Sequence, residues 1–109
     1  MEKLYFIVIL LFDRVTLGNR MYPVLLELFF SKDSSEVGKV REIAVKALKK
    51  LDVAVLVERD ISEYSNTELA ARYGIKYFPS LLLNHAYKIG IPRSERELLW
   101  IFRRYGLKV

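Results

Sequence analysis

Nucleophiles, bases and metal ligands are scarce in this chain, and their spacing decides what chemistry it can hold. There is no cysteine, which excludes thiolate nucleophiles, thiolate metal sites and disulfide bonds together. His85 is the single histidine, so no multi-histidine or His–Cys set exists for zinc. The densest polar cluster is Ser31-Lys32-Asp33-Ser34-Ser35-Glu36, lodged between an apolar run and an amphipathic one. Those hydroxyls and carboxylates suit a helix start. Asp33 and Glu36 have the spacing of a capping box, in which one side chain binds a free backbone N–H and the other reaches back; Ser34 is a second candidate for the cap. Ser94 and Glu97 repeat the spacing near the C-terminus. Glu27 is the one charge inside the apolar run Val24–Phe30, and strand alternation turns such a residue toward solvent. These residues define no catalytic group, no metal site and no cofactor site.

The elements that must position them follow from hydrophobic patterning. A chain of 109 residues, 52% hydrophobic and 28% charged, is sized for one domain with a real core. Its nine apolar residues Leu4–Phe12 are about half the ~20 needed to cross a bilayer. Asp13 and Arg14 follow at once with no small-residue cleavage site, so the run is expected to be a buried β-strand of a cytoplasmic protein rather than a secretory signal. Asp13–Tyr22 reads as a loop, and residues 1–22 as an N-terminal extension packed on a domain spanning 23–109. Within that domain Pro23 opens a second strand, Val24–Phe30. Val37, Val40, Ala44, Ala47, Leu48 and Leu51 recur at helical steps, with Lys39, Arg41, Glu42, Lys46, Lys49 and Lys50 on the opposite, solvated face. Val53–Val57 is a third strand. Asn66 or Thr67 starts a short helix through Leu69, Ala70 and Tyr73, which Gly74 ends. Ser80–Leu83 and Tyr87–Ile91 are two strands joined by the tight turn Asn84-His85-Ala86, with His85 at an exposed tip. Ser94 caps a last helix whose apolar face is Leu98, Ile101, Phe102 and Tyr105, with Trp100 as a buried anchor. The order strand, strand, helix, strand, helix, strand, strand, helix gives a mixed sheet with helices packed on it.

The second half carries a resemblance. Tyr73-Gly74-Ile75-Lys76-Tyr77-Phe78-Pro79-Ser80-Leu81-Leu82-Leu83, then Ile89-Gly90-Ile91-Pro92, then the helix Ser94–Phe102, is similar to the thioredoxin/glutaredoxin superfamily, in particular its small archaeal-type members. The likeness runs from Pro23 to Leu107. It implies an α/β thioredoxin-like fold, with a central mixed sheet of four to five strands flanked by helices and an extra strand at the N-terminus. In that superfamily a C-x-x-C motif precedes the first long helix and exchanges dithiol for disulfide. Here the motif's positions hold Ser34, Ser35, Glu36 and Val37, so that reaction is excluded. The superfamily's proline before the fourth strand is cis and lets the neighbouring backbone pair with an extended peptide, which points to Phe78, Pro79 and Ser80 as peptide-binding residues. Glu27 is similar to the buried acid of thioredoxins, one residue out of register, and both readings of it stand.

The function implied is a redox-inactive module that binds a protein or peptide in a groove between Ser34 and Pro79. An alternative is glutathione binding or glutathione-transferase-like chemistry with Ser34 holding the thiolate. A net charge of +5 attracts anions without specificity; contact between nucleic acid and Lys39, Arg41, Lys46, Lys49 and Lys50 is a second alternative. The aromatic content and the extra strand leave room for a homodimer. Absent glutamine, with many Lys, Arg and Glu, is the composition of a thermophile. No membrane partner is expected.

Overall fold

The computed structural model describes Leu4–Leu10 as a backbone strand and residues 23–109 in full. Eight elements follow: β1 (Leu4–Leu10), β2 (Val24–Phe30), α1 (Val37–Leu48), β3 (Val53–Asp60), α2 (Tyr64–Arg72), β4 (Ser80–Leu83), β5 (Tyr87–Gly90) and α3 (Glu95–Arg104). The heart of the fold is a mixed four-stranded sheet. Strand β2 pairs parallel with β3 on one side and antiparallel with β4 on the other, and β5 pairs antiparallel with β4. Strand β1 lies antiparallel along the outer edge of β3, giving the order β1-β3-β2-β4-β5. Leu10 pairs with Val53 and Val24 with Ala54, so the chain leaves β1 and enters β2 at the same end of the sheet. The expected loop Asp13–Tyr22, and Leu11 and Phe12 of the expected strand, lie outside the described residues.

Helices cover both faces. Helices α1 and α3 close one of them, where Leu26, Leu28, Leu56, Leu81 and Leu83 pack with Ala44, Leu48, Leu98 and Phe102. Helix α2 closes part of the other, where Phe29 and Leu82 pack with Ala70 and Ile75. Being the middle strand of a sheet sandwiched in this way, β2 is apolar almost throughout rather than alternating. Each fully buried leucine or phenylalanine there contributes about 1.5–3 kcal/mol of burial free energy.

The element borders depart from the sequence reading in places with identifiable causes. Helix α1 starts at Val37, later than a cap at Asp33 or Ser34 would place it. Residues 31–36 are first spent in turns: Ser34 N–H donates to the Ser31 carbonyl at 3.1 Å and Asp33 N–H to Ser31 Oγ at 3.4 Å. The cap position is Glu36, which makes no side-chain cap bond. The capping-box reading of Asp33 and Glu36 is thereby corrected. At α3 the same reading holds: Ser94 Oγ accepts from Glu97 N–H at 3.1 Å, and Glu97 reaches back to Arg93 N–H at 3.3 Å. Strand β3 continues three residues past Val57 because its charged end is internally partnered. Helix α2 begins at Tyr64, ahead of Asn66, since Asn66 and Thr67 N–H both donate to the Glu63 carbonyl. Asn84 and His85 take φ of 50° and 57°, the left-handed pair of a turn closed by Ala86 N–H on the Leu83 carbonyl, within the three-residue connection between β4 and β5.

Candidate functional site

The end of β2 and the start of β4 lie together, since Phe29 pairs with Ser80. That register places the turns at residues 31–36 and the Phe78-Pro79-Ser80 segment at one edge of the sheet. Ser34 is half-buried and its Oγ accepts from Glu36 N–H at 3.4 Å. Ser35 and Glu36 are exposed, whereas Val37 is buried in the core beneath α1. A hydroxyl in a turn and a buried valine offer neither a nucleophile nor a resolving group. On the other side of the edge the Phe78–Pro79 peptide bond is cis, Phe78 packs against the Phe29–Leu82 cluster, and Pro79 and Ser80 are buried.

A groove of about 500 Å³ opens at Pro79. Its walls include Gly74, Lys76 and Tyr77 from the segment after α2, Pro79 and Ser80, and Lys88 to Ile91 along β5. Tyr77 is 82% exposed and Ile91 44%, so the groove presents apolar surface that the fold itself does not consume. Ser34 does not line it. This groove lies between Pro79 and β5.

The charged groups of β2 and β3 form a second constellation. Glu27 is fully buried, which corrects its assignment to solvent: alternation along β2 carries no solvent face when both sides of the sheet are covered. Its Oε2 accepts from Arg59 Nε at 2.6 Å. Arg59 Nη1 donates to Asn66 Oδ1 at 3.3 Å, and Asn66 Nδ2 to the Asp60 carbonyl at 3.0 Å. His85 Nδ1 lies 2.9 Å from Glu27 Oε1 and 3.2 Å from the Tyr73 hydroxyl. Glu27 Oε1 has no hydrogen-bond partner among the described residues. His85 itself is half-exposed at the hairpin tip, where Asn84 locks the turn to β2: Leu25 N–H donates to Asn84 Oδ1 at 2.9 Å, and Asn84 N–H to the Leu25 carbonyl at 2.8 Å.

Asp60, at the end of β3, is buried yet titrates below its ordinary value. Burial by itself would push its carboxyl up; the Ser62 backbone N–H at 2.9 Å, the Ser62 hydroxyl and the Lys32 ammonium at 3.5 Å outweigh that and hold it down. The neighbouring Glu58 accepts from Arg41 Nε at 2.6 Å. The basic face expected along α1 is thus partly committed within the fold: Arg41 to Glu58, and Lys46 to Glu42 at 2.9 Å, a pair whose hydrogen bond lowers the glutamate pKa and raises that of the lysine. Sequence reasoning missed Arg59, the partner of Glu27, and Asn66, which accepts from Arg59 in turn. The only available signal was the run Glu58-Arg59-Asp60 directly after an apolar strand.

Trp100 also departs from expectation. It is 53% exposed, because two residues on a helix are about 200° apart and the core positions are Leu98 and Phe102. Tyr105 is likewise exposed, and stacks on Tyr87 with ring centroids 4.2 Å apart.

Strand order, helix layering and the placement of Pro79 ahead of β4 together define a thioredoxin-like fold. The chain aligns with a point-mutant thioredoxin from Halobacterium salinarum NRC-1 over 79% of its own length and 77% of that chain, at TM-score 0.64 and 21% identity. It aligns with a solved structure described as a malarial protein over 79% of its own length and 100% of that chain, at TM-score 0.62 and 18% identity. No protein-family model and no curated protein sequence matches it. At these identities the likeness establishes the fold. Among the described residues no helix is long and apolar enough to cross a membrane.

Proposed function

We propose that this protein is a redox-inactive thioredoxin-like module that holds an extended peptide segment of a partner protein in the groove beside Pro79. The observation that supports the reading is the groove itself, with Tyr77 kept 82% exposed at its wall. A large aromatic ring held in water next to an unfilled groove is available to a ligand. Ile91 offers the opposing apolar surface, and Lys76 and Lys88 supply positive charge at the rim. The groove follows β5, the outer strand of the sheet, so a peptide lying in it runs beside a strand edge, the arrangement used in strand addition. Such a ligand would carry an apolar or aromatic residue flanked by acidic ones. The absence of cysteine means that capture proceeds without covalent exchange. The Ser34 hydroxyl is engaged with its own turn, and no observation favours a glutathione thiolate at that position.

Selection from a displayed random-peptide library tests this reading. Wild type should enrich sequences with an apolar residue among acidic ones, and Tyr77→Ala with Ile91→Ala, both at exposed positions, should lose them. Failure of wild type to enrich any sequence, or equal enrichment by the double variant, contradicts the reading.

A further inference from the structure

The surface built by α3 and β5 is separate from the groove wall at Tyr77 and carries a different chemistry. Trp100, Tyr87 and Tyr105 are 53%, 44% and 43% exposed. They stand among cations: the Arg104 guanidinium lies over the Trp100 ring, 4.9 Å from its centroid. Arg96, Trp100 and Arg104 follow one another at four-residue steps, forming a stripe along α3 with about 6 Å of rise between successive members. Trp100 divides two shallow grooves. One, of about 260 Å³, lies against β5 and contains Lys88, Arg104 and Tyr105; the other, of about 520 Å³, contains Ser94, Arg96 and Glu97.

The charges here differ from those on α1. Arg96 and Arg104 make no ion pair among the described residues. Glu97, which lines the second groove, accepts from the Arg93 backbone N–H. The face therefore combines cations that form no ion pair among the described residues with exposed aromatic rings. Cations alone would serve any polyanion, and rings alone any apolar partner. Rings alternating with cations suit a ligand that is itself a chain of alternating flat π-systems and anions. Bases paired and stacked within a duplex could not reach the rings.

We propose that the α3–β5 face binds single-stranded nucleic acid, with bases stacking on Trp100 and on the Tyr87–Tyr105 pair and phosphates held by Arg96 and Arg104. Aromatic platforms within a cationic track bind unpaired strands with little sequence preference, and their affinity falls with salt. This site is independent of peptide capture beside Pro79, and either stands if the other fails.

Trp100 is the only tryptophan in the chain, so its fluorescence reports the contact directly. The full chain is titrated with a short thymidine oligonucleotide at several salt concentrations, and in parallel with polyglutamate. Binding of the oligonucleotide should quench Trp100 emission. Trp100→Ala, read by anisotropy of a labelled strand, should weaken binding about tenfold, and Trp100→Phe should largely retain it. Arg96→Ala with Arg104→Ala should reduce the slope of log affinity against log salt by about 1.4, at ~0.7 per lost phosphate contact. All these positions are exposed, and circular dichroism verifies that each variant is folded. The proposal is overturned if wild type fails to bind the strand at low salt or if the variants bind as wild type does. It is equally overturned if polyglutamate binds as tightly as the oligonucleotide and the latter leaves Trp100 emission unchanged, which would mark the face as a site for acidic protein.

Discussion

Glu27 occupies the middle strand of a sheet covered on both faces, and its charge is tolerated because Arg59 meets it at 2.6 Å. Removing one member of a buried pair leaves the other's desolvation uncompensated, at about 3–5 kcal/mol. Arg59 retains 20% side-chain exposure, so Glu27→Ala should fall near the low end, about 3 kcal/mol in urea unfolding, with the fold otherwise retained. Asp60 gives a pH signature of definite sign. Its folded-state pKa lies below the unfolded value of about 3.9, so its contribution to stability is complete above that value and is lost as pH falls through the folded one. Wild-type stability should therefore decline below about pH 4, and Asp60→Asn should decline less steeply over the same range when urea midpoints are compared. Strand alternation turned Glu27 toward solvent, whereas the resemblance made it a buried acid, and its full burial agrees with the second reading. Trp100, expected to be buried from its place near the apolar side of α3, is exposed because topology overrode that local inference.

Element identity was far more legible than element borders. The apolar run of β2, the helical recurrence from Val37 to Leu48 and the Asn84–His85 hairpin each carry a period or a turn chemistry that survives without tertiary context. The start of α1 does not, because Ser31, Asp33 and Ser34 satisfy turn hydrogen bonds equally well, and the sequence contains nothing to rank a cap above a turn. The two serines give a direct contrast. Ser94→Ala removes a real N-cap bond and should cost about 1 kcal/mol, whereas Ser34→Ala removes only a long turn contact and should stay within about 0.5 kcal/mol. Thermal or chemical unfolding of the two variants beside wild type decides the matter. Equal costs would return Ser34 to the role of helix cap.

Across the whole molecule, the thioredoxin-like architecture was readable from the Tyr73–Leu83 segment and the hairpin that follows, since those residues encode a helix end, a proline-led strand and its return. The site was readable only in part. Pro79 and Ser80 line a groove whose other wall includes β5; a cleft made by residues ten or more positions apart leaves no periodic trace in a sequence. The missing cysteines exclude dithiol–disulfide exchange regardless of geometry, and the activity we propose in its place is recognition of a peptide. The measurement that tests this most directly is an amide ¹H–¹⁵N titration of the protein with a library-selected peptide. The shifts should concentrate at Lys76, Tyr77, Ser80 and Lys88–Ile91. Shifts confined to α1 or to the residues 31–36 turns would contradict a peptide site between Pro79 and β5.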